Sequence, residues 1–200
     1  MKTPRFDYQK KFEPIRNITL FFVVLLVANL FWKYNVLGDE STTAGSSVTF
    51  WGLNISAPFI WMSGHVAHVA AFVLQFFGSQ VSLLPSNILQ YSNGNSVQVI
   101  WSCTGIKQAY ICFCILVFSW GPWKRKVWYI PACLLVVYLF NIVRISIIVG
   151  CIENHPHWFQ LLHHYIFKYL FYGIIFLMWM FWEENIVNRP KKLMQAKVKP

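Results

Sequence analysis

Apolar residues along the chain are gathered into runs that are separated by polar segments. The runs cover residues 17–37, 57–77, 97–120, 127–150 and 165–182. A helix needs roughly 20 apolar residues to cross a bilayer, and each run is close to that length. The pattern predicts a polytopic membrane protein built from α-helices.

Composition and charge agree with a membrane protein and argue against other classes. Charged residues make up only 12% of the chain, against the 25% or so that is usual in soluble domains. The net charge is +10, but the basic residues flank the apolar runs. Nucleic-acid binding would need a basic face on a soluble fold, so no nucleic-acid partner is expected.

The basic residues also predict how the chain crosses the membrane. They lie in an arm before the first run, in the loop Lys124–Lys126, and in the tail after the last run. The positive-inside rule places all three in the cytoplasm, which four crossings satisfy and five do not. Residues 57–77 have no Lys or Arg on either flank and carry His65 and His68. They are therefore predicted to form an interfacial or re-entrant helix on the outer face.

The predicted fold class is thus all-α: a polytopic helical bundle of four to five transmembrane helices plus this outer-face helix. We expect one membrane-embedded domain over residues 1–200. Residues 1–16 form a basic cytoplasmic arm, residues 17–182 the bundle, and residues 183–200 a basic cytoplasmic tail. No small-residue cleavage site follows the first run, so it is expected to stay as an anchor.

This topology predicts that three reactive side chains share one depth. Cys103 lies 21 residues before Lys124, which is about 31 Å of helix. Arg144 lies 18 residues after Lys126, about 27 Å, and His164 lies 19 residues before Glu183, about 28 Å. All three side chains are therefore expected at the outer edge of the membrane.

Cys103 differs from the other four cysteines of the chain, which are expected to be buried and inert. It lies at the polar end of its run, where it could be reached from outside. Gly105 is expected to let another chain or a substrate backbone come close. Lys107, four residues later, and the positive end of a helix dipole could stabilise a thiolate.

Arg144 is a second candidate because it stands within the most apolar surroundings of the chain. A charge in that position is costly and usually functional, although an arginine can also extend its side chain to the headgroups. Asn141 lies three residues earlier on the same helical face, where it could bond Arg144 or its partner.

Residues 153–164 hold most of the histidines of the chain and allow two interpretations. One histidine at the top of the last helix could act as a general acid and base. Alternatively, several of these side chains could bind zinc or copper, although their spacing matches no standard motif. The candidate metal ligands are Glu153, His155, His157, His163 and His164. His65 and His68 are expected to form a polar stripe without a catalytic role.

Three short motifs in this order resemble the exosortase/archaeosortase family of prokaryotic membrane cysteine transpeptidases. They are Ser-Cys-Thr-Gly at 102–105, Asn-Ile-Val-Arg at 141–144, and a histidine at the start of the last helix. The resemblance implies that Cys103 is the nucleophile and Arg144 the second catalytic residue. His163 and His164 are adjacent and both remain candidates, with the sequence His163-His164-Tyr165 favouring His163.

The resemblance also implies a function at the outer face of the plasma membrane. Family members cleave a C-terminal sorting signal from secreted proteins, and an amine acceptor or water then resolves the thioester. No cofactor is implied, and the partners would be the secreted substrate, the acceptor and the bilayer. Two other classes stay open from the residues alone: a non-enzymatic transporter or assembly protein that uses Arg144 as a counter-ion, and a histidine-rich metal-binding membrane protein.

Overall fold

The structure is a computed structural model, and it describes residues 5–38 and 47–188. Of residues 5–14 and of His164, only the backbone is described. Most of the predicted basic tail, from residue 189 onward, lies outside the described residues.

Five α-helices dominate the fold, which confirms the predicted all-α membrane bundle. The last long helix contains a π-helical turn before α5 and another after it, at Leu161–Ile166 and Trp182–Asn188. Short 3-10 turns occur at Pro85–Asn87, Trp101–Cys103 and Pro156–Trp158. The α-helices are α1 Arg5–Asn35, α2 Ser56–Phe76, α3 Ile106–Phe118, α4 Trp123–Ile152 and α5 Phe167–Phe181.

Four helical segments of the described chain are long and apolar enough to cross a membrane. They are Ile15–Asn35, Ser56–Phe76, Trp123–Ile152 and Pro156–Asn188. Helix α3 has only 13 residues, about 20 Å, although the sequence places an apolar run over residues 97–120. It starts late because Gly105 is left-handed, with φ of +79°, so helical backbone begins only at Ile106.

The polar connections form two small antiparallel sheets that the hydrophobic pattern does not predict. In the second sheet, the Asn93-Gly94 pair makes the turn between two neighbouring strands, as the sequence suggests. Asn93 and Asn95 of this turn donate to the carbonyls of Glu153 and Ile152, which end α4. The strands are β1 Val36–Gly38, β2 Val48–Phe50 and β3 Leu53–Asn54 in one sheet, and β4 Val81–Leu84, β5 Ile88–Tyr91 and β6 Ser96–Gln98 in the other.

Two larger hydrophobic cores divide the molecule along the length of α4. The bundle core joins α1, α3, α5 and the first half of α4, with Ile111, Val137 and Phe171 at its centre. The outer core joins α2, the second sheet and the second half of α4, with Val66, Leu89 and Val149 fully buried. Helix α4 is 30 residues or about 45 Å long, which exceeds the ~30 Å of a hydrocarbon layer.

Helix α2 is packed differently from the other long helices. Its buried residues belong to the outer core, and they meet α4 at Ile142, Ile145 and Val149. His65 also bonds Tyr138 at 2.8 Å between its Nε2 and the hydroxyl. This packing is compatible with the predicted outer-face helix, which stays a prediction because the length and composition of α2 also suit a span.

The short loop between α3 and α4 does more than carry positive charge. Lys126 is 3% exposed, and its Nζ donates to the carbonyls of Val117 at 2.7 Å and Ser119 at 2.5 Å. A lysine at this position satisfies carbonyls left open at the end of α3. Lys124 and Arg125 remain exposed.

Candidate active site

Cys103 lies in a tight turn between β6 and α3, outside any α-helix. The Cys103 amide donates to the Ile100 carbonyl at 2.9 Å, and the Thr104 hydroxyl donates to the Trp101 carbonyl at 2.7 Å. The Trp101 ring fixes the turn from the other side, since it packs edge-on against Phe59 with ring centroids 5.9 Å apart. The thiol is thus positioned by the packing of Cys103 in the outer core and of Trp101 in a separate small cluster with Phe59.

Gly105 allows this turn to pass close to α4, and its role differs from the one expected from sequence. A Cβ atom on Gly105 would lie 3.0 Å from Asn141 Cγ. The space that Gly105 leaves is therefore filled by Asn141 of the same chain, and it is not open to a substrate backbone. A left-handed φ and this close approach each require a glycine.

Asn141 donates a hydrogen bond to Cys103, whereas its place in the sequence suggested a bond to Arg144 or to the partner of Arg144. It is completely buried, and its Nδ2 donates to the Cys103 carbonyl oxygen at 3.0 Å. Its Oδ1 is buried without a hydrogen-bond partner among the described residues. Asn141 therefore ties the backbone of the Cys103 turn to α4.

His163 lies directly beside the Cys103 thiol. The distance from Cys103 Sγ to His163 Nε2 is 3.7 Å. The imidazole stacks on the Phe159 ring with centroids 5.2 Å apart and planes inclined by 12°. His163 belongs to the π-helical turn Leu161–Ile166, a feature that often occurs at functional sites. Phe159 is a supporting residue that the sequence pattern did not single out, although its spacing of four residues from His163 is a helical one.

The side chain of His164 lies outside the described part of the structure. Neighbouring residues on a helix point in clearly different directions, about 100° apart in an α-helix. One of the two rings can therefore face Cys103, and His163 does so.

Arg144 is buried near Cys103, and among the described residues no hydrogen bond or ion pair holds its guanidinium. Its side chain is 6% exposed, and its guanidinium carbon lies 5.9 Å from the Phe171 ring centroid. It interacts electrostatically with Cys103. The Nε of Arg144 is buried without a hydrogen-bond partner among the described residues. Since buried charges are normally paired, this guanidinium is available to an anion.

Lys107 is placed differently from the sequence prediction. The left-handed Gly105 interrupts the helix between Cys103 and Lys107, so the two residues do not share a helical face. The electrostatic neighbours of Lys107 are instead two other lysines, Lys33 and Lys168.

The other described histidine and cysteine side chains form no cluster that could hold a metal ion. His155 and His157 are exposed, and His155 stacks on Trp158. Within residues 5–38 and 47–188, no group of three His, Cys, Asp or Glu side chains is arranged to hold a metal ion. Cys112 and Cys133 are buried in the bundle core. The metal-binding interpretation therefore has no cluster in the described part of the chain.

The site thus combines a buried thiol, an imidazole in contact with it and a buried guanidinium. An imidazole can take the thiol proton, and a thiolate is a strong nucleophile. A guanidinium can stabilise negative charge on an oxygen atom. These are the groups needed for acyl transfer through a thioester.

Comparison with known proteins agrees with the resemblance seen in the motifs. The family model described as transmembrane exosortase (EpsH) matches residues 12–181. Comparisons with curated proteins and with solved structures gave no match. The family match spans most of the chain and includes Cys103, Arg144 and His163, and with its long apolar helices the protein is a multi-pass membrane protein. The chain belongs to the transmembrane exosortase family.

Proposed function

We propose that this protein is a membrane cysteine peptidase that cleaves C-terminal sorting signals of secreted proteins and transfers the shortened proteins to an amine acceptor. The observation that carries the proposal is the contact of 3.7 Å between Cys103 Sγ and His163 Nε2. Family membership supports processing of secreted proteins in a membrane setting.

In the first half of the reaction, His163 takes the proton of the Cys103 thiol. The thiolate attacks the scissile carbonyl carbon, and a C–S bond forms while the carbonyl oxygen becomes an oxyanion. The protonated imidazole then donates its proton to the leaving nitrogen, so the C–N bond breaks and a thioester remains. The contact distance is long for proton transfer, but such contacts commonly tighten when substrate binds.

Arg144 is proposed to stabilise the oxyanion. Its charge is buried and unpaired among the described residues, so little reorganisation is needed when negative charge develops. The Phe171 ring covers one side of the guanidinium, so an oxyanion would approach from another side.

In the second half, an amine acceptor attacks the thioester carbonyl while His163 removes a proton from the nitrogen. Collapse of the second tetrahedral intermediate breaks the C–S bond, and Cys103 recovers its proton from His163. Water in place of the amine gives hydrolysis, with a free carboxylate as product.

We further propose that the protein lies in a prokaryotic plasma membrane with both termini in the cytoplasm and the Cys103 site facing outward. The support is the distribution of basic residues, which are concentrated in the arm, the tail and the loop Lys124–Lys126. A substrate exported across the membrane would then meet Cys103 on the side at which it arrives.

The function is tested by expressing the protein with a tagged secreted protein that carries a C-terminal motif, an apolar helix and a basic tail. Wild-type protein should convert the substrate to a shorter form, and Cys103→Ala should not. Cys151→Ala is the matched control, because Cys151, like Cys103, forms no disulfide and lies at the same end of α4 as the site. Full processing by Cys103→Ala would refute the mechanism.

Mass spectrometry of the new C-terminus distinguishes the two possible outcomes of thioester resolution. A free carboxylate indicates hydrolysis, whereas an added mass in amide linkage indicates transfer and identifies the acceptor. Hydrolysis as the only product would contradict the transfer step while leaving the cleavage step in place.

A further inference from the structure

Three helices each carry a lysine at the end of the bundle that holds Cys103. Lys107 is in the first turn of α3 and is half-buried, and it interacts electrostatically with Lys33 and Lys168. Lys33 is in the last turn of α1, and Lys168 is the second residue of α5. Trp32, directly before Lys33, packs against Tyr110, three residues after Lys107, with ring centroids 5.3 Å apart, so the end of α1 lies beside the first turn of α3. The start of α5 lies at the same end of the bundle, because His163, five residues before Lys168, contacts Cys103.

This lysine cluster has no counter-charge among the described side chains. No described side chain forms an ion pair or a side-chain hydrogen bond with Lys33, Lys107 or Lys168. The Nζ of Lys33 lies 5.9 Å from the centroid of the Tyr34 ring. The positive end of the α3 dipole adds to the repulsion at Lys107. Partial burial and two like charges both disfavour the ammonium of Lys107, and a bound anion would offset these costs.

The anion that fits this cluster is a phosphate group. Lysine binds phosphate as a point charge, and a helix N-terminus with its free amides is a common phosphate site. Lys107 lies in the first turn of α3, so its ammonium lies near the positive end of the helix dipole.

The surface beside the cluster indicates that the phosphate belongs to a lipid. Large apolar and aromatic side chains next to the lysines are exposed, among them Tyr34 at 71% and Tyr169 at 69%. Aromatic side chains of this kind are typical of the headgroup level of a membrane, and the neighbouring aliphatic residues suit acyl chains. Leu30, Phe31, Ile166 and Leu170 continue this surface.

We propose that Lys33, Lys107 and Lys168 bind the phosphate of an anionic phospholipid headgroup at the Cys103 end of the bundle. The bound headgroup holds the outer ends of α1, α3 and α5 together. Because α3 begins directly after the Cys103 turn, the lipid also stabilises the segment that carries the thiol. The inference concerns lipid binding and does not depend on the proposed cleavage reaction.

The test titrates dioleoylphosphatidylglycerol into delipidated full-length protein in a neutral detergent and follows thermal stability. Dioleoylphosphatidylcholine, with the same acyl chains and no net charge, is the first comparison, and inorganic phosphate is the second. Wild-type protein should be stabilised by phosphatidylglycerol far more than by the other two.

Charge variants assign the effect to the cluster. Lys107→Gln, and the double variant Lys33→Gln with Lys168→Gln, should weaken the apparent affinity for phosphatidylglycerol at least tenfold, and Lys107→Arg should retain it. The matched control is Lys124→Gln, an exposed lysine at the opposite end of the bundle, which should keep the wild-type affinity.

Three results would overturn the proposal. One is unchanged phosphatidylglycerol affinity in both glutamine variants. Another is equal stabilisation by phosphatidylcholine, which would show that the headgroup charge is irrelevant. Equal stabilisation by inorganic phosphate would assign the cluster to a free anion and refute the lipid. If Lys107→Gln does not fold, the double variant alone decides the outcome, because both of its lysines are exposed.

Discussion

Asn141 holds Cys103 through the backbone, with 3.0 Å between the asparagine Nδ2 and the cysteine carbonyl oxygen. The bond joins a turn of the chain to α4, the helix that also carries Arg144. The buried amide thus helps to fix the turn of the thiol relative to the helix that carries the guanidinium.

Removing this amide should slow the reaction without unfolding the protein. Asn141→Ala loses a bond worth about 1 kcal/mol, so substrate conversion should fall roughly fivefold to tenfold. Ser146→Ala is the control, because Ser146 is buried on the same helix and its hydroxyl has no hydrogen-bond partner among the described residues. Equal rates for the two variants would show that the bond does not position Cys103.

The two adjacent histidines should differ sharply in importance. His163→Ala removes the ring that contacts Cys103 Sγ and should lower conversion by about 10²- to 10⁴-fold, the usual range for a general base. His164→Ala should retain most of the activity. Both rates are measured at matched protein levels in the membrane, and the opposite order would assign the proton transfer to His164.

A methyl group at Gly105 should destabilise the protein at the site itself. Gly105→Ala places a side chain on a left-handed residue and brings its Cβ to 3.0 Å from Asn141, at a cost of about 1–3 kcal/mol. Gly173→Ala is the matched control, since nothing lies within 4 Å of its added Cβ in α5. It should be neutral or stabilising by up to about 1 kcal/mol. Thermal unfolding in detergent compares the two, and equal melting temperatures would contradict the prediction.

Lys126 should matter more for stability than its exposed neighbour. Lys126→Met leaves the carbonyls of Val117 and Ser119 without their donor, which should cost about 1–3 kcal/mol. Lys124→Met changes the same loop charge on an exposed side chain and should stay within about 0.5 kcal/mol of wild type. A melting temperature that falls equally in both variants would indicate a charge effect in place of the helix cap.

Cysteine labelling tests the proposed orientation. Cys151 is half-buried near the end of α4 and Cys103 is 7% exposed, so a membrane-impermeant maleimide added outside should label Cys151 first and Cys103 slowly. Cys112, 1% exposed in the bundle core, should react only after the protein is denatured. Proteins with single cysteines separate the three signals. Labelling of Cys151 only from the cytoplasmic side would reverse the topology.

The sequence predicts Cys103 and a histidine of the last helix at one depth, and the structure brings Cys103 and His163 into contact. The helical rise from Lys124 does not measure the distance to Cys103, because α3 covers only Ile106–Phe118 and Cys103 lies in the turn before it. The direction in which a side chain points is harder to predict from sequence, because it depends on local interruptions of the helix. The left-handed Gly105 removes Lys107 from the face of Cys103, and the π-helical turn changes which way His163 points. The two sheets escaped prediction because their strands have only two to four residues each.

Helix α4 runs without interruption from the bundle core into the outer core. Neither core can therefore be expressed as a separate domain, since α4 contributes buried residues to both of them. A compound or antibody fragment that binds the second sheet therefore binds a layer that packs against α4, the helix that carries Arg144. In the proposed orientation, a ligand that binds the second sheet would reach the layer that contacts the second half of α4 without entering the lipid.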